Sequence, residues 1–171
     1  MDAILLQKLD LGLISPTRHY EGLYYLFEST IEYVCLLPNS HELADSPDRI
    51  DFVELCNTEP EVLVPQNAFQ FSRDAVSIDS LTSNAPIASP SGPVIASTAR
   101  AAGLVSVVDP FTARVACLQG SLVAKPLLQQ PQYPVAIVTR GVDALSSVGA
   151  EMADSLVAQI QDFHGLWELG E

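Results

Sequence analysis

Seven apolar residues, Leu145, Val148, Met152, Leu156, Ile160, Phe163 and Trp167, step along the last stretch of the chain by three or four positions. That spacing is the period of an α-helix with one apolar face. It predicts a single helix over residues 143–167, with Asp143 at the N-cap and Glu151, Asp154, Gln159 and Asp162 off the stripe. A helix of this kind is stable through tertiary packing, so the stripe must be covered by the rest of the chain or by another chain. A packed core is therefore required, and an unfolded tail is excluded.

Composition agrees. Of the 171 residues 48% are hydrophobic and only 17% are charged, whereas disorder needs the reverse. Eight basic against 21 acidic residues leave a net charge of −13. Phosphate contacts need clustered Lys and Arg, so no nucleic-acid partner is expected, and an anionic membrane surface is excluded for the same reason. A typical domain is about 25% charged. So few charges imply a surface of small uncharged groups or one partly covered by other copies, since interface cores are depleted in charge. The expected partner is protein, through self-association or a larger assembly.

The three cysteines, Cys35, Cys56 and Cys117, form no Cys-x-x-Cys pair and sit among apolar neighbours. An odd, scattered set suits buried thiols in a reducing compartment, the cytoplasm or a virion interior, rather than a disulfide framework. No secretory signal is read at the N-terminus, where Asp2, Lys8 and Asp10 interrupt the apolar residues. The longest uncharged run, 80–99, contains Pro86, Pro90 and Pro93 and does not suit a membrane span.

Charge is unevenly spread: residues 1–79 carry net −10, residues 80–150 net +2 and residues 151–171 net −5. Apolar spacing predicts a helix over 2–14 and a second over 16–37 that starts at Ser15-Pro16. Strands are expected at 49–56, 61–64, 68–78, 104–108, 113–118, 121–124 and 134–139, with a short helix over 94–102 ended by Gly103. Residues 82–93 read as a Pro/Ser-rich loop or arm. The expected fold is a single α+β domain over 1–171, terminal helices packed on a mainly antiparallel sheet, with a long amphipathic C-terminal helix.

Chemistry-bearing motifs are sparse. There is no GxGxxG and no phosphate-binding loop, and His19, His41 and His164 lack the ligand spacing of a zinc site, so no cofactor and no metal are expected. An enzyme alternative rests on Cys35 as nucleophile with His41 as base and Glu42 or Asp45 as orienting acid, or on a carboxylate metal site at Asp45, Asp48 and Asp51. These three acids belong to an acidic run, 41–61, that otherwise reads as a solvated face or a docking surface for a basic partner. Leu156, Ile160, Phe163, Leu166, Trp167 and Leu169 are the candidate interface residues of the final helix, because aromatics are enriched at interface hot spots. The order helix, strands, short helix, strands, long helix in a small acidic chain resembles the layout of bacterial type III secretion chaperones, and the Ala/Ser/Pro-rich, lysine-poor composition equally suits a viral or phage subunit. The expected function is thus a non-catalytic assembly subunit, adaptor or chaperone.

Overall fold

A computed structural model describes residues 2–6, 8–59, 61–65, 87–141, 143 and 145–165. The fold is α+β. Helix α1 (Asp2–Leu5) leads into strands β1 (Leu11–Ile14), β2 (Tyr24–Glu32) and β3 (Val34–Pro38). Helix α2 (Phe52–Thr58), β4 (Leu63–Pro65), β5 (Ile87–Ser89), α3 (Gly92–Ala102), β6 (Ser106–Val108) and α4 (Pro110–Cys117) follow. Strands β7 (Leu122–Pro126) and β8 (Gln132–Thr139) precede the long helix α5 (Ser147–Gly165). The chain divides into two compact units, Met1–Ile31 with Pro134–Glu171, and Glu32–Tyr133.

In the first unit the sheet order is β1-β8-β2, with β1 antiparallel to β8 from Leu11↔Thr139 to Ile14↔Ala136. Ile4, Ala136 and Val138 form a small buried cluster with Ile14, Leu23 and Tyr25 packed against it. The end of the Ile4 side chain lies where a Cβ on Gly12 would stand, so a larger residue there would have to displace it. The expected helix over 2–14 is therefore cut to one turn, because residues 11–14 are claimed by a partner more than a hundred positions away. Helix α5 starts four residues later than expected: Ser146, not Asp143, caps it, accepting from the Gly149 amide at 3.1 Å. Its apolar stripe does not bury evenly. Ala153, Ile160 and Phe163 are buried, while Val148 is 72% and Met152 58% exposed.

The second unit is built on a five-stranded sheet of order β5-β4-β6-β3-β7. Strand β4 runs parallel to β5 and β6, and β3 runs antiparallel to both β6 and β7. Four strands thus share one direction and β3 alone is reversed. Both faces are covered. Cys35, Leu37, Val62, Val64, Val105, Val107 and Leu127 pack with Phe52 and Leu55 of α2 in one buried cluster. On the opposite face, where Val34, Leu36, Leu63 and Val108 point by strand alternation, Ile95, Ala96 and Ala99 of α3 and Ala113 and Ala116 of α4 are buried. Strands covered on both faces read as unbroken apolar runs. Val34–Leu37 is such a run, and its lack of alternation explains why the stretch 16–37 mimics a helical stripe while forming β2 and β3.

Two expected strands are helices. Asp51 accepts from the Val53 and Glu54 amides and starts α2 inside the stretch 49–56. Asp109 accepts from the Thr112 amide with Pro110 in the first turn, starting α4 where a strand was expected over 113–118. The helix over 94–102 and its stop at Gly103, in the left-handed region at φ 69°, agree with expectation, as do strands near 104–108, 121–124 and 134–139. Of the 82–93 loop, residues 87–89 form β5 and Gly92 opens α3; residues 82–86 and the 68–78 strand lie outside the described residues.

Phe52 is fully buried, so Phe52→Ala should cost about 3–5 kcal/mol in chemical denaturation. Leu118, 81% exposed, should tolerate alanine within about 0.5 kcal/mol. Ser106 carries a buried hydroxyl without a hydrogen-bond partner, and Ser106→Ala should be neutral or stabilising in the same assay.

Candidate functional site

The parallel strands of the second unit end at a common rim, and the helices that follow them start there. Ligands of open sheets with parallel strands bind outside the carboxyl ends of those strands, where crossovers leave in opposite directions. Strand β4 is flanked by β5 on one side and β6 on the other, which makes its carboxyl end such a point.

Helices α3 and α4 lie side by side and run the same way. At their starts, a Cβ on Gly92 would stand 2.6 Å from Thr112 Oγ1 and 2.8 Å from Asp109 Oδ2. Near their ends, Arg100 Nη2 donates to the Ala116 carbonyl at 2.7 Å. Both N-termini therefore face the same rim. Helix α2 joins them, because Ile50 bridges Leu127 just past β7, and Gln129 there donates to Asp51 Oδ1 at 2.8 Å and accepts from the Phe52 amide at 2.9 Å.

These three helix starts are not equivalent. Asp51 closes α2 with its own carboxylate, and the Gln129 amide together with the Val53 and Glu54 N–H groups holds that carboxyl below its usual range. Asp109 closes α4, bonded to the Thr112 amide at 2.9 Å and hydroxyl at 2.7 Å. Ser91 heads α3 with no side-chain cap bond, and its amide donates to Ser89 Oγ at 3.2 Å. The first turn of α3 thus presents backbone donors and the positive end of its dipole without a carboxylate of its own. Phe111, in the first turn of α4, ends a short row of rings. The Tyr33 and Tyr133 rings meet edge-on at 5.3 Å between centroids, and Phe111 packs on Tyr133 at 6.3 Å. Burial, then the neighbouring Tyr133 and Asp109, push the Tyr33 phenol far up, so it stays a neutral hydrogen-bonding group. Hydroxyls, one open helix start and aromatic faces make a rim suited to holding a small anion.

The sequence-derived candidates fall elsewhere. Cys35 is wholly buried in the core, and burial, with Cys56 beside it, drives its thiol far above the range in which a thiolate forms. His41 does not face it: Nε2 lies 3.3 Å from Glu59 Oε1 and Nδ1 accepts from the Leu43 amide at 3.1 Å. Asp45 and Asp48 are exposed, Asp51 is the cap of α2, and among the described residues no group of three His, Cys, Asp or Glu is placed to hold a metal. Ile160 and Phe163 are buried within the chain and Leu156 is half-buried, while Leu166, Trp167 and Leu169 lie outside the described residues. Among the described residues no helix is long and apolar enough to cross a membrane. Ser91, Gly92, Asp109 and Thr112 were passed over in the sequence, although Asp109-Pro110 is a helix-start signal that pointed to the rim.

Comparison with known proteins identifies the scaffold. The LysR substrate binding domain family matches residues 1–161. No curated protein sequence matches the chain. Among solved structures, the chain is similar to the regulatory domain of CcmR from Synechocystis PCC6803 in complex with 2-PG, with 15% identity and a TM-score of 0.61, covering 92% of this chain and 76% of that one. It is similar to HinK, a LysR family transcriptional regulator from Pseudomonas aeruginosa, with 16% identity and a TM-score of 0.58, covering 98% of this chain and 57% of that one. A reduced form of OxyR from N. meningitidis matches at 13% identity and a TM-score of 0.60, over 82% of this chain and 68% of that one. At such identities the likeness is one of fold. The chain spans little more than half the length of HinK, and 56% of a further Pseudomonas aeruginosa chain.

The family match overturns the assembly reading. A viral or phage subunit, an adaptor and a chaperone were inferred from sparse charge and element order, properties that a sensing domain shares. Of the enzyme alternative, the Cys35 nucleophile is sealed in the core, where burial drives its thiol up. Nor does acidity exclude nucleic acid from the biology of a family that includes transcriptional regulators; net charge describes this chain's surface alone.

Iodoacetamide should leave Cys35 unmodified at pH 8 until denaturant opens the fold, read by mass spectrometry. Because the Asp51 carboxyl is lowered on folding, its contribution is present at neutral pH and fades as the carboxyl protonates. Asp51→Ala should cost about 1 kcal/mol at pH 7 and progressively less below about pH 4.

Proposed function

The chain belongs to the LysR substrate binding domain family, and on that premise we propose that it is the ligand-sensing regulatory domain of a transcriptional regulator. The ligand is a small anionic metabolite, a carboxylate or phosphate, bound at the carboxyl rim of the second unit by the open start of α3. The carrying observation is the contrast among three helix starts at that rim: Asp51 and Asp109 neutralise two, and Ser91 leaves the third able to accept an anion. The complex of the CcmR regulatory domain with 2-PG supports the choice of a small-molecule ligand. Sensing then means that the bound form is selected from the populations the free domain already samples. With net charge −13 this domain does not itself neutralise DNA phosphates, so contact with DNA falls to other parts of such a regulator. Sparse surface charge supports action in more than one copy, which a solution mass at a multiple of 18.4 kDa would bear out.

The test is thermal unfolding in the presence of a panel of small carboxylates and phosphates. A true ligand at about 100 times its Kd adds about 2.7 kcal/mol, roughly 5–10 °C for a chain of this size. Ser91→Asp keeps a good helix cap but places a carboxylate where the anion would sit. It should abolish that shift without lowering the melting temperature of the free protein. No shift with any anion, or a shift that survives Ser91→Asp, would refute the assignment.

A further inference from the structure

On their outer side, away from the sheet, α3 and α4 enclose a cavity of about 330 Å³, within the size range of small-molecule sites. Its walls include Ala96 of α3 and Phe111 and Val115 of α4, with Ser97 and Gln119 as polar groups and Arg100 at the far end. The step from Pro93 to Arg100 spans about 10 Å at 1.5 Å per helical residue. We propose that this groove is a ligand site of its own, for a small carboxylic acid with an apolar tail, the carboxylate on Arg100 and the tail along Phe111 and Val115.

Arg100 is what decides the chemistry. A guanidinium has five N–H donors. Here Nε donates to Ser121 Oγ at 3.2 Å and Nη2 to the Ala116 carbonyl at 2.7 Å, both neutral acceptors. Among the described residues, none of the three side-chain ion pairs includes Arg100. Elsewhere in the same unit Arg49 is paired with Glu32 at 3.1 Å, as is usual in a chain so rich in acids. Arg100 is thus oriented by two bonds, charged, and left with N–H groups uncommitted beside an apolar slot. The stretch of sequence that carries it, 80–150, has net +2 in a chain of net −13. A planar fork over an apolar trough is the arrangement that recognises a carboxylate and rejects the matching alcohol. The groove begins at the first turns of α3 and α4, where Pro93, Phe111 and Thr112 line it, but Arg100 lies about 13 Å along α3 from Ser91, so its chemistry does not rest on the function proposed for the rim.

Calorimetric titration of the full chain with sodium hexanoate, and with hexan-1-ol as its uncharged match, tests the assignment. Hexanoate should bind at least tenfold tighter than the alcohol, the effect of one charge-assisted contact. Arg100→Gln should erase that difference. Val115→Glu, at a position 64% exposed on the groove wall, should weaken hexanoate at least tenfold with an unchanged melting temperature, which covers the case in which Arg100→Gln disturbs the fold. Ser91→Asp should leave hexanoate affinity untouched. Absence of binding up to about 10 mM, equal affinity for acid and alcohol, or binding that survives both groove variants would overturn the proposal. Loss of hexanoate binding in Ser91→Asp would place it at the rim instead, and a change of solution mass in Val115→Glu without loss of hexanoate would make the groove a protein contact.

Discussion

Val34, Cys35, Leu36 and Leu37 are sealed from solvent on both faces and both edges of the larger sheet, and the second unit is arranged around that burial. A central strand leaves no backbone amide or carbonyl to water, so each must find a partner in a neighbouring strand. Strands β6 and β7 supply them, both running opposite to β3. The two faces of β3 then need apolar cover. Phe52 and Leu55 of α2 provide it on the side of Cys35 and Leu37, and the buried alanines of α3 and α4 provide it on the side of Val34 and Leu36. Because β3 is the single reversed strand, β6 and β7 are left parallel to each other, and the connection between them must cross over, which is the role of α4.

From that crossover geometry the candidate site follows. Helices that return parallel strands begin at the carboxyl ends of those strands, so α3 and α4 bring their N-termini together whether or not a ligand is present. Gly92 permits the approach, since any side chain there would meet the Thr112 hydroxyl and the Asp109 carboxylate. Carboxylates cap two of the three helix starts, and the start of α3 has no side-chain cap bond. On the outer side, the same pairing of helices that shapes the rim leaves a groove ended by Arg100, which ties the tail of α3 to that of α4. Rim and groove are thus two products of one packing decision.

Local signals in the sequence were legible where a single element carried them whole. The stripe of α5 was readable because helical periodicity needs only near neighbours, and Gly103 marked the end of α3 because a left-handed residue is a local need. Capping was present in the sequence but outvoted: Asp51 with Glu54 three residues later, and Asp109 with Pro110, are helix starts set inside stretches whose β-branched residues suggest strands. The opposite error at 16–37 has a different origin. An apolar run buried on both faces has no alternation, so its spacing matched a helix by coincidence. As for the site, Ser91 and Thr112 carry no signal of their own. Their meaning comes from Asp109, seventeen positions from Gly92 and brought beside it by strand pairing.

What the sequence by itself determined is the class of object: an α+β chain with a long amphipathic C-terminal helix, caps and turns at definite residues, and a net charge of −13. Only the tertiary structure decided that β3 is reversed, that three helices start at one rim, and that among the described residues Arg100 bonds neutral acceptors and no carboxylate. The physical reason is range. Propensity, periodicity and capping act within a few residues of chain, whereas strand direction and electrostatic pairing depend on which distant segments share the same buried surface, and that is settled by packing.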